Sequence, residues 1–238
     1  LTMTTSATPW MIGSIILAPV RTFVFGGPPS AGKSRVIRAL LAVPNARAWG
    51  RTGVAKLDCQ ESPDAARFVA MGIPALGLSA GRFCPDHALM EALPGVRAWA
   101  AGEGLEALVI ETAGLCGRCA PYLDDAAAVA VVDATSGIAG PGKLGPLLAD
   151  ADVIVATRGD LVSQAEREVF AENVRGRNAR APFLWIDGLT GEGAIALFGR
   201  LADPGVPARG GEGRARTPLP QLYCSYCMGR REVGIAAL

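Results

Sequence analysis

The chain has 238 residues, half of them hydrophobic and few aromatic, with a formal net charge of +1. That length supports one domain with a sizeable core, or one domain with a tail. The near-neutral charge excludes recruitment of nucleic acid or of an anionic membrane by a global field, and the Ala-, Gly- and Val-rich composition suits a compact α/β protein. The apolar run from Trp10 to Val20 is too short to span a bilayer. It also lacks the basic stretch that opens a signal peptide, Arg21 being the first arginine. Residues 1–20 therefore read as a poorly ordered N-terminal extension running into the first strand, over Thr22 to Phe25.

Next comes Gly27-Pro28-Pro29-Ser30-Ala31-Gly32-Lys33-Ser34, and then an apolar helix to about Leu41 that Pro44 stops. Thr52 to Asp58 reads as a strand ending on a carboxylate, Pro63 to Ala70 as a helix, and Ile73 to Leu78 as a short strand. A loop carrying Cys84-Pro85-Asp86-His87 leads into a helix over Asp86 to Leu93, which Pro94 is expected to end. Three apolar runs, Ala107–Ile110, Ala128–Val132 and Val153–Ala156, have the character of buried parallel strands. An amphipathic helix follows over Gln164 to Val174, a strand over Phe183–Ile186 and a last helix over Gly193–Leu201. From Asp203 the chain turns to Gly, Pro and Arg, a flexible linker. The expected organisation is an extension over 1–20, a nucleotide-binding domain over 21–202, and a linker with a cysteine-bearing tail over 203–238. The fold class is a three-layer α/β P-loop NTPase, with a mainly parallel central sheet and helices on both faces.

Strand, glycine-rich turn and helix start form the context in which GxxxxGK[ST] means a phosphate-binding loop. The loop amides of Gly27 to Gly32 and the helix N-terminus suit phosphate oxygens. Lys33, one of only three lysines, suits the β- and γ-phosphates, and the Ser34 hydroxyl suits Mg²⁺. Glu111-Thr112-Ala113-Gly114 follows an apolar strand: a carboxylate there can hold Mg²⁺ through water, and the Gly114 amide can sense a γ-phosphate. Thr157-Arg158-Gly159-Asp160 is a variant of [NT]-K-x-D. Its Asp accepts two hydrogen bonds from the guanine edge, and a guanidinium stem could cover the base where lysine is usual. The alternative role for Asp160 is a helix N-cap. Leu189, within Asp187-Gly188-Leu189-Thr190-Gly191-Glu192, stands where a base-packing loop belongs. Ligand groups in open α/β sheets gather at the carboxyl ends of strands, so these motifs share one edge.

Four of the six cysteines form two CxxC pairs, Cys116/Cys119 and Cys224/Cys227. In a nucleotide-dependent protein these suggest metal or redox chemistry rather than a disulfide framework. Cys84 and His87, the only histidine, share one loop and offer thiolate and imidazole, which suit Zn²⁺ or Ni²⁺. Two ligands do not close a site, and a symmetric dimer is the natural completion. Cys59 reads as a small buried hydrophobe.

The order of phosphate loop, strand-end Asp, ExxG, [NT]-K-x-D and LTGEG resembles the metal-center maturation GTPases, the hydrogenase and urease nickel-insertion proteins and their cobalamin-related cousins, over about Thr22 to Leu201. The resemblance implies that Asp58 is a switch carboxylate near Mg²⁺, joining Lys33 and Glu111 in catalysis. It also implies a metal site at Cys84 and His87, although Asp86 is inserted relative to the urease-type Cys-Pro-His. Cys116 and Cys119 would lie in the second switch. The function it implies is a cytoplasmic, homodimeric GTPase with GTP and Mg²⁺ as cofactors, coupling hydrolysis to metal insertion into a client metalloenzyme or maturation protein, with no nucleic-acid or membrane partner. Without an identifiable general base or arginine finger, hydrolysis should be slow. Three alternatives stay open: a dimeric iron–sulfur protein of the nitrogenase-reductase type, a small-molecule kinase, and a non-enzymatic metal-binding protein.

Overall fold

The computed structural model describes residues 20–59, 63–81, 84–112, 114, 119–203, 206 and 213–216. Cys116, Cys224 and Cys227 lie outside these residues, as do nearly all of the N-terminal extension and most of the tail.

Seven strands form one sheet: β1 (Arg21–Gly26), β2 (Thr52–Asp58), β3 (Ala75–Ser79), β4 (Ala107–Thr112), β5 (Ala127–Asp133), β6 (Val153–Thr157) and β7 (Phe183–Ile186). Their order is β3-β2-β4-β1-β5-β6-β7, and every pair is parallel. The helices are α1 (Lys33–Ala42), α2 (Asp64–Ala70), α3 (Pro85–Gly102), α4 (Gly145–Ala149), α5 (Gln164–Arg175) and α6 (Ala194–Ala202). The alternation of side chains along each strand divides the core in two. Val24, Leu108, Ile110, Ala128, Ala130 and Val132 face α3, α4 and α5. Phe23, Phe25, Val109, Val129 and Val131 face α1, α2 and α6. The three-layer P-loop architecture expected from the sequence is the observed one. Because β1 lies between β4 and β5, the crevice outside its carboxyl end is a topological switch point, the place where open α/β sheets bind ligands. Among the described residues no helix is long and apolar enough to cross a membrane.

Two expectations are corrected. Pro94 does not end a helix; it lies inside α3, which runs on to Gly102. An internal proline costs about 3 kcal/mol. Leu89, Met90 and Leu93 before it and Val96 and Ala100 after it are all buried, and at about 1.5–3 kcal/mol for each large aliphatic side chain this burial outweighs the lost hydrogen bond.

The stretch after Asp203 is also not free throughout. Ala215 is buried and bridges Leu123 in antiparallel fashion. The Arg216 backbone N–H donates to the Tyr122 carbonyl at 2.8 Å. The Arg216 guanidinium donates to the carbonyls of Leu123, Ala126 and Asp150 and to the Asp152 carboxylate at 2.6–3.0 Å. Arginine's planar fork satisfies several acceptors at once, which a Gly/Pro-rich composition does not reveal. Replacing Arg216 with Ala strands these acceptors, and we expect a loss of about 2 kcal/mol, read as a lower urea midpoint of the full chain.

Candidate nucleotide and metal site

The phosphate loop leaves β1 and enters α1 through two constrained glycines. A Cβ on Gly27 would stand 2.3 Å from the Val131 carbonyl oxygen of β5, and Gly32 has φ +90°. The only non-glycine residues with positive φ among those described are Ser30 (62°) and Arg158 (58°). They touch, the Arg158 guanidinium donating to the Ser30 carbonyl at 2.9 Å. Such conformations persist where surrounding structure over-determines them, commonly at ligand sites. Thr157 ties the same two segments together, its hydroxyl donating to the Ala31 carbonyl at 2.8 Å.

Lys33 is only 5% exposed, and its ammonium donates to the carbonyls of Gly27 at 2.9 Å and Pro28 at 2.7 Å. Burial lowers its pKa to about 8, against the opposing pull of Glu111. A charge disfavoured in this way is poised for an anion, and a polyphosphate would replace the two carbonyls as its partner.

Beside Lys33 lies a cluster of oxygens. Ser34 Oγ donates to Glu111 Oε1 at 2.8 Å and lies 3.4 Å from Asp64 Oδ2. Lys56 Nζ sits among the group, 2.8 Å from Glu111, 3.3 Å from Asp64 and 3.4 Å from Asp58. Burial alone would lower the Lys56 pKa, but Glu111 and the two aspartates raise it. Asp64 is held below the usual carboxylate range: burial opposes this, and Lys56 prevails. Glu111 is 2% exposed, and its Oε2 has no hydrogen-bond partner among the described residues. A buried, unpartnered carboxylate oxygen beside a serine hydroxyl and Asp58 is hard-oxygen ligand chemistry, and it fits Mg²⁺ with its water shell. An open cleft of about 570 Å³ covers this cluster, lined also by Ser30, Arg35, Arg38, Arg67 and Arg158. Cys59 lines the same cleft and is half-exposed, not the buried hydrophobe expected. It follows a strand-terminal carboxylate that faces the site, so its position is at the rim rather than in the core.

On the far side of the loop, Asp160 is exposed on a 3-10 turn after β6. It does not cap α5. Ser163 does so in a reciprocal capping box with Glu166, which removes the competing role for Asp160. The Arg158 guanidinium is ion-paired with Asp133 at the end of β5. Leu189 is 76% exposed, in a turn where Asp187 accepts from the Leu189 N–H at 2.7 Å and the Thr190 hydroxyl at 2.9 Å. These two bonds hold the Asp187 carboxyl below its ordinary value. A Cβ on Gly188 would meet Arg35 Cβ at 2.8 Å, so this loop lies against α1.

A second cluster joins α3 to the end of β4. Pro85 opens α3, where its missing N–H costs nothing, and Asp86 in the first turn is buried. Asp86 accepts from the Thr112 hydroxyl at 3.0 Å and the Cys119 thiol at 3.3 Å. The ligand atoms of Cys84, Asp86 and Cys119 all lie within 4.8 Å of one another. A hydrogen bond from Cys119 brings the Cys84 thiol down to about 7, although burial opposes it. Burial pushes the Asp86 carboxyl up, against the Cys119 and Thr112 bonds. The single Cys119 proton can serve Cys84 or Asp86 but not both, and a cation held among two thiols and a carboxylate would relieve the competition. The sequence pairs Cys84 with His87. The structure brings Asp86 to Cys84 instead, and His87, buried one residue on with its pKa lowered by burial, is outside the three-ligand group. Gly114 lies between the two clusters: a Cβ there would be 3.5 Å from Asp86 Oδ2 and 3.6 Å from the Gly27 carbonyl oxygen.

Sequence reasoning missed Lys56, Asp64 and the place of Asp86 beside the thiols of Cys84 and Cys119. Only Lys56 carried a signal, a lysine inside an otherwise apolar strand.

Residues 21–185 match the CobW/HypB/UreG nucleotide-binding domain. The chain is 36% identical over 215 residues to the uncharacterized protein MJ0120 of Methanocaldococcus jannaschii, an alignment covering 90% of this chain and 91% of that one. HypB from Helicobacter pylori, solved in complex with nickel, is similar in structure with a TM-score of 0.63 and 18% identity, over 77% of this chain and 86% of that one. The hydrogenase maturation factor HypB from Archaeoglobus fulgidus has a TM-score of 0.63 and 22% identity, over 76% and 88% of the two chains.

Proposed function

Because the chain belongs to the CobW/HypB/UreG nucleotide-binding family, we propose that it is a GTP-binding and GTP-hydrolysing metallochaperone, coupling its nucleotide state to insertion of a metal or metallocofactor into a client enzyme. The observation that carries this reading is the placement of adjacent residues on β4. Glu111 reaches Ser34 on the nucleotide side, and Thr112 reaches Asp86 in the thiol cluster. Gly114, two residues on, is in contact range of both the phosphate loop and Asp86. A γ-phosphate drawn to the Gly114 amide thereby moves a segment that touches the metal ligands, the kind of two-state element through which hydrolysis controls a second site.

In this reading the amides of Gly27 to Gly32 and Lys33 hold the phosphates. Ser34, Asp58 and Glu111 hold Mg²⁺, which when bound neutralises charge developing on the phosphates. Asp160 accepts from the guanine edge, Arg158 flanks the base and Leu189 covers it. Cys84, Asp86 and Cys119 hold the cargo. Two thiols and a carboxylate suit Zn²⁺ or Ni²⁺, and Cys116, three residues before Cys119, is a further thiol in the same segment.

The tail supplies two more thiols. Arg216 is anchored at Tyr122, three residues after Cys119, and Cys224 follows Arg216 by eight residues. Cys224 and Cys227 offer a second CxxC pair, which this reading assigns to the same cargo. A cytoplasmic homodimer that hands metal to a client maturation protein completes the reading.

Isothermal titration of the metal-free protein with GTP and with ATP in Mg²⁺ tests the base step, with GTP expected at least tenfold tighter; equal affinities would remove Asp160 from its role. Equilibrium dialysis against Ni²⁺ and Zn²⁺ tests the coupling, with metal affinity expected to differ between the GDP form and the form holding a non-hydrolysable GTP analogue. Equal affinities in the two forms would leave a GTPase without a chaperone function.

A further inference from the structure

Lys56 has no role in the phosphate chemistry described so far, yet it is one of the most tightly held charges in the molecule. It stands on β2 in register with Glu111 on β4, is 5% exposed, and has four oxygens round its ammonium. Glu111 Oε1 lies at 2.8 Å, Ser34 Oγ at 3.1 Å, Asp64 Oδ2 at 3.3 Å and Asp58 Oδ1 at 3.4 Å. These come from β4, α1, α2 and the end of β2. Three of them, from Ser34, Asp58 and Glu111, belong to the groups assigned to Mg²⁺. An ammonium and a hard divalent cation seek the same oxygens, and two cations cannot share them in a half-buried site without strong repulsion.

We propose that Lys56 is a tethered stand-in for Mg²⁺: it gathers the oxygens of the Mg²⁺ site while no nucleotide is bound, and withdraws when Mg²⁺ arrives together with a nucleoside triphosphate. The inference rests on the nucleotide reading given above. The Asp58 and Asp64 side chains are about one-fifth exposed, so they can follow the ammonium toward the open cleft and keep it paired as it leaves Ser34 and Glu111. The arrangement has a purpose in a protein that handles metal. Three carboxylates beside a hydroxyl, left bare, would capture any divalent cation, including the cargo. Lys56 closes that site until the triphosphate brings enough negative charge to make Mg²⁺ the better occupant.

The test uses the full, nucleotide-free protein and Mn²⁺ as the probe, followed by the loss of its free electron paramagnetic resonance signal. Lys56→Met is expected to bind Mn²⁺ at least tenfold tighter than wild type, and Lys56→Arg, which keeps the charge, to behave as wild type. Equal Mn²⁺ affinity in Lys56→Met and wild type would overturn the proposal.

A measurement on the wild type covers the case in which the methionine variant fails to fold. The chain has only three lysines, so acetylation at each can be followed by mass spectrometry. Acetylation of Lys56 should rise at least fivefold when Mg²⁺ and a non-hydrolysable GTP analogue are added, with Lys143 unchanged; continued protection of Lys56 would overturn the proposal. Calorimetry on the same samples separates the two failures. Analogue that binds while Lys56 stays protected removes only the stand-in role, whereas analogue that does not bind removes the nucleotide reading as well.

Discussion

Gly27→Ala is expected to abolish useful nucleotide binding while the rest of the domain stays folded. The added Cβ would fall 2.3 Å from the Val131 carbonyl oxygen and 3.2 Å from its carbon. That carbonyl cannot retreat, because β5 is the interior strand between β1 and β6, with Ala130 in register with Gly26 and Val131 with Val155. The loop must shift instead. Gly27 also accepts from Lys33 at 2.9 Å, so the displacement carries the lysine with it. Overpacking of this kind costs about 2 kcal/mol, which for a domain of this size lowers Tm by roughly 4–8 °C. The binding loss is larger. Two loop amides displaced from a phosphate forfeit two charge-assisted hydrogen bonds of about 1.5 kcal/mol each, or roughly 100-fold in Kd. Calorimetric titration with GTP in Mg²⁺ and a thermal melt on one preparation check both numbers. Nucleotide affinity within threefold of wild type would mean that the loop is not held by β5 in the way its geometry indicates.

The features legible in the sequence are those with a local cause. The phosphate loop could be read because strand, turn and helix start are contiguous in the chain. The strands β4, β5 and β6 could be read to within two residues at each end, because apolar runs bounded by turn residues are strong signals for buried parallel strands. Pro94 misled because a helix boundary inferred from proline assumes that local cost decides, whereas here tertiary burial on both sides of the proline does. The two clusters were only partly legible for a different reason, since their members meet through sheet register. Lys56 finds Glu111 because β2 and β4 are neighbours with those residues opposite each other, although 55 positions separate them. Asp86 was read only as an insertion between Cys84 and His87. In the fold it is the residue that the first turn of α3 directs toward Thr112 and Cys119, and no spacing rule along the chain contains that information.

The thiol cluster yields the other large expected effect. In the proposed metallochaperone reading, Cys119→Ala removes a ligand at the middle of the group, since Cys119 contacts Asp86 and lowers the Cys84 pKa. Transition-metal affinity should fall by at least roughly 100-fold, beyond the 10–100-fold typical of losing a supporting contact, with nucleotide affinity within twofold of wild type. Dialysis against Ni²⁺ or Zn²⁺ with metal analysis reads the first quantity and GTP calorimetry the second. Retained metal affinity would move the cargo site elsewhere.

Asp86 supplies an independent check on the metal-free protein. Burial raises its folded pKa above the unfolded value, so between those two values the folded state binds the extra proton. Stability contributed by the protonated form is complete below the unfolded pKa near 3.9 and is lost as pH rises through the folded value. The metal-free wild type should therefore lose stability to urea as pH climbs through that window, and Asp86→Asn, which never ionises, should lack this component of the slope. Metal reverses the relation. A bound cation favours the ionised carboxylate, so loading wild type with Zn²⁺ should restore stability at neutral pH, whereas Asp86→Asn should gain less. In the proposed reading, the same buried carboxylate that weakens the metal-free protein is the group that makes cargo binding favourable, and Thr112, which donates to it, stands next to Glu111 on β4.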